Sequence, residues 1–173
     1  MSPGAGRWAA VLALPALFAL GCAAPLRRAD PRPRPPRAAP PLAKAVVRTA
    51  RTYLPEEEKG RPAPKDCSDF VRKVFSENGL QLPRTSLEMA SLGKTVRSSR
   101  DLRMGDLVLF SGEKVGRKVG HVGIFVGNGV FIHQAKPEMG VVMESLLSDH
   151  YRRRYLGARR VTLFLDALYG RNR

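Results

Sequence analysis

Two cysteines and three histidines are all that 173 residues offer for thiol or imidazole chemistry. No further cysteine and no acidic pair stands at ligand spacing, so a closed zinc site is not supported. Acidic residues are also scarce, with 15 Asp and Glu against 30 Lys and Arg and a formal charge of +15. Such a chain meets something anionic, whether nucleic acid, a membrane surface or an acidic polymer. The main apolar run, Trp8 to Leu20, contains Pro15 and is too short to span a bilayer comfortably. No internal repeat is visible. The glycine-rich stretch SGEKVGRKVG (111–120) lacks the Gly-Lys-Ser/Thr ending of a phosphate-binding loop, which argues against nucleotide binding. What remains is length for one domain with a real core, plus extensions.

The extensions come first. MSPGAGRWAAVLALPALFALGCAAP places Arg7 before the apolar run, the layout of a secretory signal. Gly21-Cys22 resembles the lipobox of bacterial lipoproteins, although Ala19 and Leu20 stand where leucine and a small residue are usual. The resemblance implies a signal over 1–21 and a lipid on Cys22. Ala23 follows, with no aspartate there as an inner-membrane retention signal, so the expected address is the outer membrane, facing the periplasm. A plain cleaved signal is the alternative. Residues 22–42, rich in Pro, Arg and Ala, form an extended tether whose arginines either meet anionic headgroups and wall polymer or are simply solvated. Without residues 1–42, which hold six Arg and one Asp, 24 basic residues face 14 acidic ones, a net of +10. The basic character therefore belongs to the domain, expected over 43–165 and followed by a basic tail at 166–173. Export argues against nucleic acid as the partner.

Within the domain, helical spacing comes first and strand patterning second. LAKAVVRTARTYL (42–54) puts Val46, Ala50 and Tyr53 near one face. DCSDFVRKVFSENGL follows an acidic loop, with Asp66 as N-cap and Asn78-Gly79 as stop. LPRTSLEMASLG predicts a short helix capped by Thr85 or Ser86 and ended by Gly93. Strands are predicted at 105–110, 120–127, 129–135, 140–145 and 158–165. Helices first and an antiparallel sheet second is an α+β arrangement.

If Cys22 carries lipid, Cys67 is unpaired in an oxidising compartment, and a chemical role would explain it. The bland alternative is a buried, inert thiol. Cys67 opens its helix, where unpaired N–H groups favour thiolate. A thiolate nucleophile needs a base near neutral pH, normally histidine. His121 and His133 flank one hairpin, GHVGIFVGNGVFIHQA. Closing it at Val126 and Val130 around a three-residue loop pairs Ile124 with Ile132 and puts both histidines on one face. A two-residue loop would put them on opposite faces. An open Cys-His-His metal site is the rival use of the same residues. His150 has no evident partner and defaults to the surface.

DCSDFV, LPRTS, GDLVLF, GHVGIFVGNGVFIH and RRYLGARRV, in that order from Lys65 to Val161, resemble the NlpC family of papain-like cell-wall cysteine peptidases. The resemblance implies a papain-like domain with N-terminal helices packed on an antiparallel sheet. It implies Cys67 as nucleophile, His121 as base, His133 as orienting group and no metal or other cofactor. Asp66 and Ser68 flank the nucleophile as substrate-binding candidates. Lys114, Arg117 and Lys118, in the loop before His121, are candidates for binding stem-peptide carboxylates, with a solvated loop as the alternative. The expected activity is that of a monomeric endopeptidase on peptidoglycan stem peptides, cutting next to diaminopimelate. A non-enzymatic wall-binding lipoprotein is the alternative. Two departures stand out: Asp69 replaces the family's usual glycine, bringing negative charge near the thiol, and no tyrosine-containing, glycine-rich segment precedes Cys67. For the N-terminus the expected outcome is a mature protein that begins with a lipid-modified Cys22. Mass spectrometry of the membrane fraction checks it, and an unmodified Cys22 would refute it.

Overall fold

Apolar spacing builds the helical layer. The structure, a computed structural model, describes residues 41–55 and 62–161. Helix α1, Pro41–Arg51, buries Ala43, Val46, Val47 and Ala50 along one stripe. The helix stops before Tyr53, but that ring is still buried and meets Phe70 edge-on at 5.7 Å. Helix α2, Cys67–Glu77, starts from Asp66 as expected and buries Phe70, Val71, Val74 and Phe75. Its chain turns away through Asn78 and Gly79, the glycine at φ +80°. Thr85 is the cap of α3, Ser86–Met89, in a full capping box with Glu88. The signal segment, Cys22, the tether up to residue 40, and residues 162–173 with the predicted end of the last strand all lie outside the described residues.

Six strands follow, all paired antiparallel: β1 Lys94–Val96, β2 Leu107–Ser111, β3 Val119–Gly127, β4 Val130–Gln134, β5 Val141–Ser145 and β6 Tyr155–Arg160, in sheet order β1-β6-β2-β3-β4-β5. The α+β class holds. Two elements escape the sequence pattern. β1 is three residues long with a single buried side chain. The basic stretch before β6 forms a short helix, α4, Asp149–Arg154.

The hairpin keeps its predicted pairing through a different turn. Ile124 faces Ile132 and Phe125 faces Phe131. The strands close at Gly127 and Val130 around Asn128 and Gly129, both at positive φ (49° and 73°), as a type I′ turn requires. The expected three-residue loop is therefore corrected to two. An irregularity between Phe125 and Gly127 supplies one extra residue to β3. That residue restores the parity a two-residue loop alone would reverse, so both histidines stay on one face.

Both faces of the sheet are covered. Under the first two helices, Leu107, Leu109, Val122, Ile124 and Ile132 pack with Phe70, Val71, Val74 and Phe75. On the other face Val108, Phe110, Phe125, Phe131 and Ala158 pack with Tyr151 of α4. The sheet also carries a buried charge pair. Arg160 donates twice to the Asp106 carboxylate, at 2.8 Å each, and once to the Asp101 carbonyl at 2.7 Å. Asp106 also accepts from the Arg103 N–H at 2.8 Å. Removing one partner leaves the other buried and uncompensated. Asp106→Asn is expected to cost about 3–5 kcal/mol in urea denaturation. Replacing both residues with apolar ones of similar volume should cost less.

Candidate active site

Cys67 is the first residue of α2, and it sits there because Asp66 ends the preceding extended chain. The Asp66 carboxylate accepts the Asp69 N–H at 2.8 Å and the Ser68 hydroxyl at 2.7 Å. Arg84, from the turn before α3, donates to both Asp66 oxygens at 3.2 and 2.5 Å and to Ser68 at 2.7 Å. The Arg84 hydrogen bond holds the Asp66 carboxyl well below the usual carboxylate range. Asp66 and Ser68, both expected near the substrate, thus form one ion-paired cluster beside the nucleophile candidate. Arg84 belongs to the LPRTS stretch, and nothing in its spacing points to Asp66.

Asp69 behaves differently from the expectation. Its carboxylate turns back to the Lys65 N–H at 2.9 Å and lies 3.6 Å from the Lys73 ammonium. The carboxylate whose charge acts on the thiol is Asp66.

The thiol itself is half-buried. Its backbone surroundings favour a thiolate: the N–H groups of Val122, Ser68 and Cys67 itself are placed to donate to the sulfur. Burial opposes them and is the larger effect, with the Asp66 charge adding to it, so the thiol is pushed up from its ordinary range. The thiolate expected from the helix N-terminus is therefore not the resting form. Val122 is the residue after His121, so Cys67 meets β3 next to the first histidine.

His121 and His133 form a contiguous pair. His121 Nε2 lies 2.8 Å from His133 Nδ1, and His133 Nε2 lies 3.1 Å from the Tyr151 hydroxyl. Opposite His133 in the register stands Gly123. A Cβ there would lie 2.6 Å from the Phe131 ring, 3.0 Å from the Ile132 carbonyl and 3.2 Å from His133 Cβ. The missing side chain is what lets the two imidazoles meet diagonally. Close by, β3 carries one extra residue against Phe110 and Ser111. It falls at Gly120, where a Cβ would stand 2.7 Å from Gly112 Cα. Bulges of this kind re-aim the neighbouring side chain, here His121.

Aromatic rings enclose the pair. Phe131 stacks on His133 at 4.8 Å, Tyr151 meets it edge-on at 5.3 Å, and Phe110 lies 6.0 Å from His121. Burial depresses both imidazoles, His121 to about 4 and His133 to about 3. Nearby positive charge on Arg154 adds to the effect on His121. Burial also pushes the Tyr151 phenol up to about 12. At neutral pH the site rests with a thiol, two neutral imidazoles and a neutral phenol. Tyr151 and Gly123 were not foreseen; only the absence of a side chain in HVGIF hinted at the second.

The remaining candidates sit on the loop between β2 and β3. Lys114 and Lys118 are exposed in the loop after β2. Arg117 lines a cavity of about 450 Å³ with Arg97 and Arg159, along β1 and β6. Among the described residues no group of three or more His, Cys, Asp or Glu side chains is arranged to hold a metal ion. The Tyr53 hydroxyl bonds to Glu77, at the C-terminal end of α2, and so does not replace the missing tyrosine beside Cys67.

Residues 58–160 match the NlpC/P60 family. The chain is 46% identical over 97 residues to the murein DD-endopeptidase MepS/murein LD-carboxypeptidase of Escherichia coli strain K12, an alignment covering 56% of this chain and 49% of that protein. It is 40% identical over 97 residues, at the same two coverages of 56% and 49%, to a probable endopeptidase NlpC homolog of Haemophilus influenzae. It thus spans about half the length of these curated relatives. An NlpC/P60 family protein from Bacillus cereus superposes with a TM-score of 0.58 at 26% identity, over 68% of this chain and 39% of that one.

The neutral histidines link folding to pH. Unfolded imidazoles take protons near 6.5, whereas the folded pair resists until about 4 and about 3. The folded values are depressed, so the contribution is full above pH 6.5 and is lost as pH falls through the folded values. Urea midpoints are expected to fall steadily from pH 6.5 downward. In His133→Gln that pH dependence should be shallower.

Proposed function

Because the chain belongs to the NlpC/P60 family, we propose that it is a cysteine endopeptidase of peptidoglycan stem peptides. Cys67 is the nucleophile, His121 the base and His133 the residue that orients the base. The observation that carries this reading is the hydrogen-bonded histidine pair on β3 and β4, with the helix-start cysteine against β3 one residue away. The curated relatives are named as murein and NlpC-type endopeptidases, which supports the substrate class. The cut is proposed next to diaminopimelate. A lipid on Cys22 and the Pro/Arg tether would hold the domain, as a monomer, at the outer membrane facing the wall.

Only one tautomer of the pair serves the chemistry. His121 Nε2–H donates to His133 Nδ1, and His133 Nε2–H donates to the Tyr151 oxygen. His121 Nδ1 is then left without a proton and is the nitrogen that receives one from Cys67. As the sulfur attacks the carbonyl carbon, the S–H proton passes to Nδ1. The carbonyl π electrons move onto oxygen, where the Cys67 N–H is a candidate donor. Collapse expels the amine, which takes the proton back from His121. Water then hydrolyses the thioester by the same route and regenerates the thiol. Thiol and imidazole both rest neutral, so the proton has to pass from Cys67 to His121 within the catalytic cycle.

Two measurements test this. Resting Cys67 should alkylate at neutral pH more slowly than a free cysteine, while the full chain still releases stem fragments from purified wall. Cys67→Ala and His121→Ala should each lower that release by at least about 10³-fold. His133→Ala should lower it by about 10²-fold, as misorientation does. Wild-type protein that binds wall and releases no fragment would overturn the peptidase in favour of a wall-binding module. The raised thiol and the missing upstream tyrosine are the features on which that second reading stands.

A further inference from the structure

One groove borders the histidine pair from outside. It encloses about 710 Å³ and is lined by His121 itself, by Gly112 and Gly120, and by Tyr151, Lys136 and Arg154. The two glycines leave part of its wall as bare backbone, and a Cβ at Gly120 would stand 2.7 Å from Gly112 Cα. Its size suits a peptide segment.

Charge on the lining is unbalanced. Glu113 is the carboxylate on it, against Lys136 and Arg154. No ion pair among the described residues engages either cation. Arg154 is nonetheless fixed in place. Its Nε and Nη2 donate to the Ser111 carbonyl at 3.3 and 2.9 Å, and its Nη1 bonds to His150. A guanidinium has five N–H donors. Three are engaged on the protein, which leaves two. A held guanidinium with donors to spare needs little ordering before it binds a carboxylate. Lys136 is exposed, with no hydrogen bond from its ammonium among the described residues.

We infer that this groove is a carboxylate subsite in which Arg154 and Lys136 hold a free carboxylate that the substrate carries close to the scissile bond. The inference deepens the peptidase reading and takes its ligand, an acidic stem peptide, from it. Placement follows from the lining: a group bound here lies beside the imidazole that moves the proton. The carboxylate-binding part expected from sequence of Lys114, Arg117 and Lys118 is here proposed for Arg154 and Lys136. The carboxylate itself is either the peptide's chain end or a side chain, and the chemistry of capture is the same.

The experiment separates those sources and separates this subsite from the peptidase. A synthetic stem tetrapeptide with a free side-chain carboxylate and a free chain end is compared with its two mono-amides. Each is titrated calorimetrically into the full chain carrying Cys67→Ala, which cannot turn it over. One mono-amide is expected to bind about tenfold more weakly than the diacid. Which one it is names the source, and either supports the subsite. Arg154→Gln should abolish the discrimination. Lys136→Gln should narrow it about threefold, and this variant breaks no hydrogen bond, so it decides the matter if Arg154→Gln fails to fold. Equal binding of all three peptides, no measurable binding of the diacid, or full discrimination retained in Lys136→Gln would each overturn the inference. Wild-type cleavage is read in parallel. Cleavage with a KM indifferent to amidation rejects the subsite and leaves the peptidase standing. Discrimination without cleavage does the reverse.

Discussion

The buried pair of Asp106 and Arg160 is the constraint on which the sheet depends. Arg160 ends β6 and Asp106 immediately precedes β2, so the pair fixes how the last strand enters between β1 and β2. Its third bond, to the Asp101 carbonyl, ties in the segment that leads from β1 to β2. β2 then sets β3, with Phe110 opposite His121 on one side and opposite Tyr155 on the other. Placement of the first histidine is therefore inherited from a charge pair that takes no part in the proposed reaction. Such a pair is costly to bury and adds little net stability. What it contributes here is a single way for the strands to close.

The two halves of the site are built from opposite materials. Around Cys67 the partners are ionic: Asp66, Arg84 and Ser68 form a network open to water on one side. Around the histidines they are aromatic, and His133 is fully buried. The first environment orders the helix start and presents backbone donors. The second removes charge from the imidazoles. A base that rests neutral is available at neutral pH, and a thiol that rests neutral needs such a base to take its proton.

Much of this was legible in the sequence, and the rest was hidden for physical reasons. The cap at Asp66, the stop at Asn78-Gly79 and the box at Thr85 are local chemistry, which spacing reveals. The face shared by His121 and His133 was also legible, through the pairing of Ile124 with Ile132, although two departures from the assumed turn cancelled to give it. β1 and α4 were not, because three mostly exposed residues and a six-residue basic stretch have too short a period to read. Arg84 and Tyr151 reach their partners across 18 residues each, through the fold alone. The charge state of Cys67 was misjudged because a helix N-terminus is visible in sequence and the depth of burial is not.

Helix α4 contributes Tyr151 to the inside of the histidine pair and Arg154 to the groove outside it. Six residues are too few to be helical on their own, so this element depends on what its side chains hold, Tyr151 and Arg154 foremost. Excursions that detach α4 would strip the Tyr151 ring from His133 and the cation from the groove together, while the sheet stayed paired. Such a segment belongs at the low end of the protein's local opening energies. On heating, function should therefore disappear as a local event, at a lower temperature than the cooperative loss of the strands.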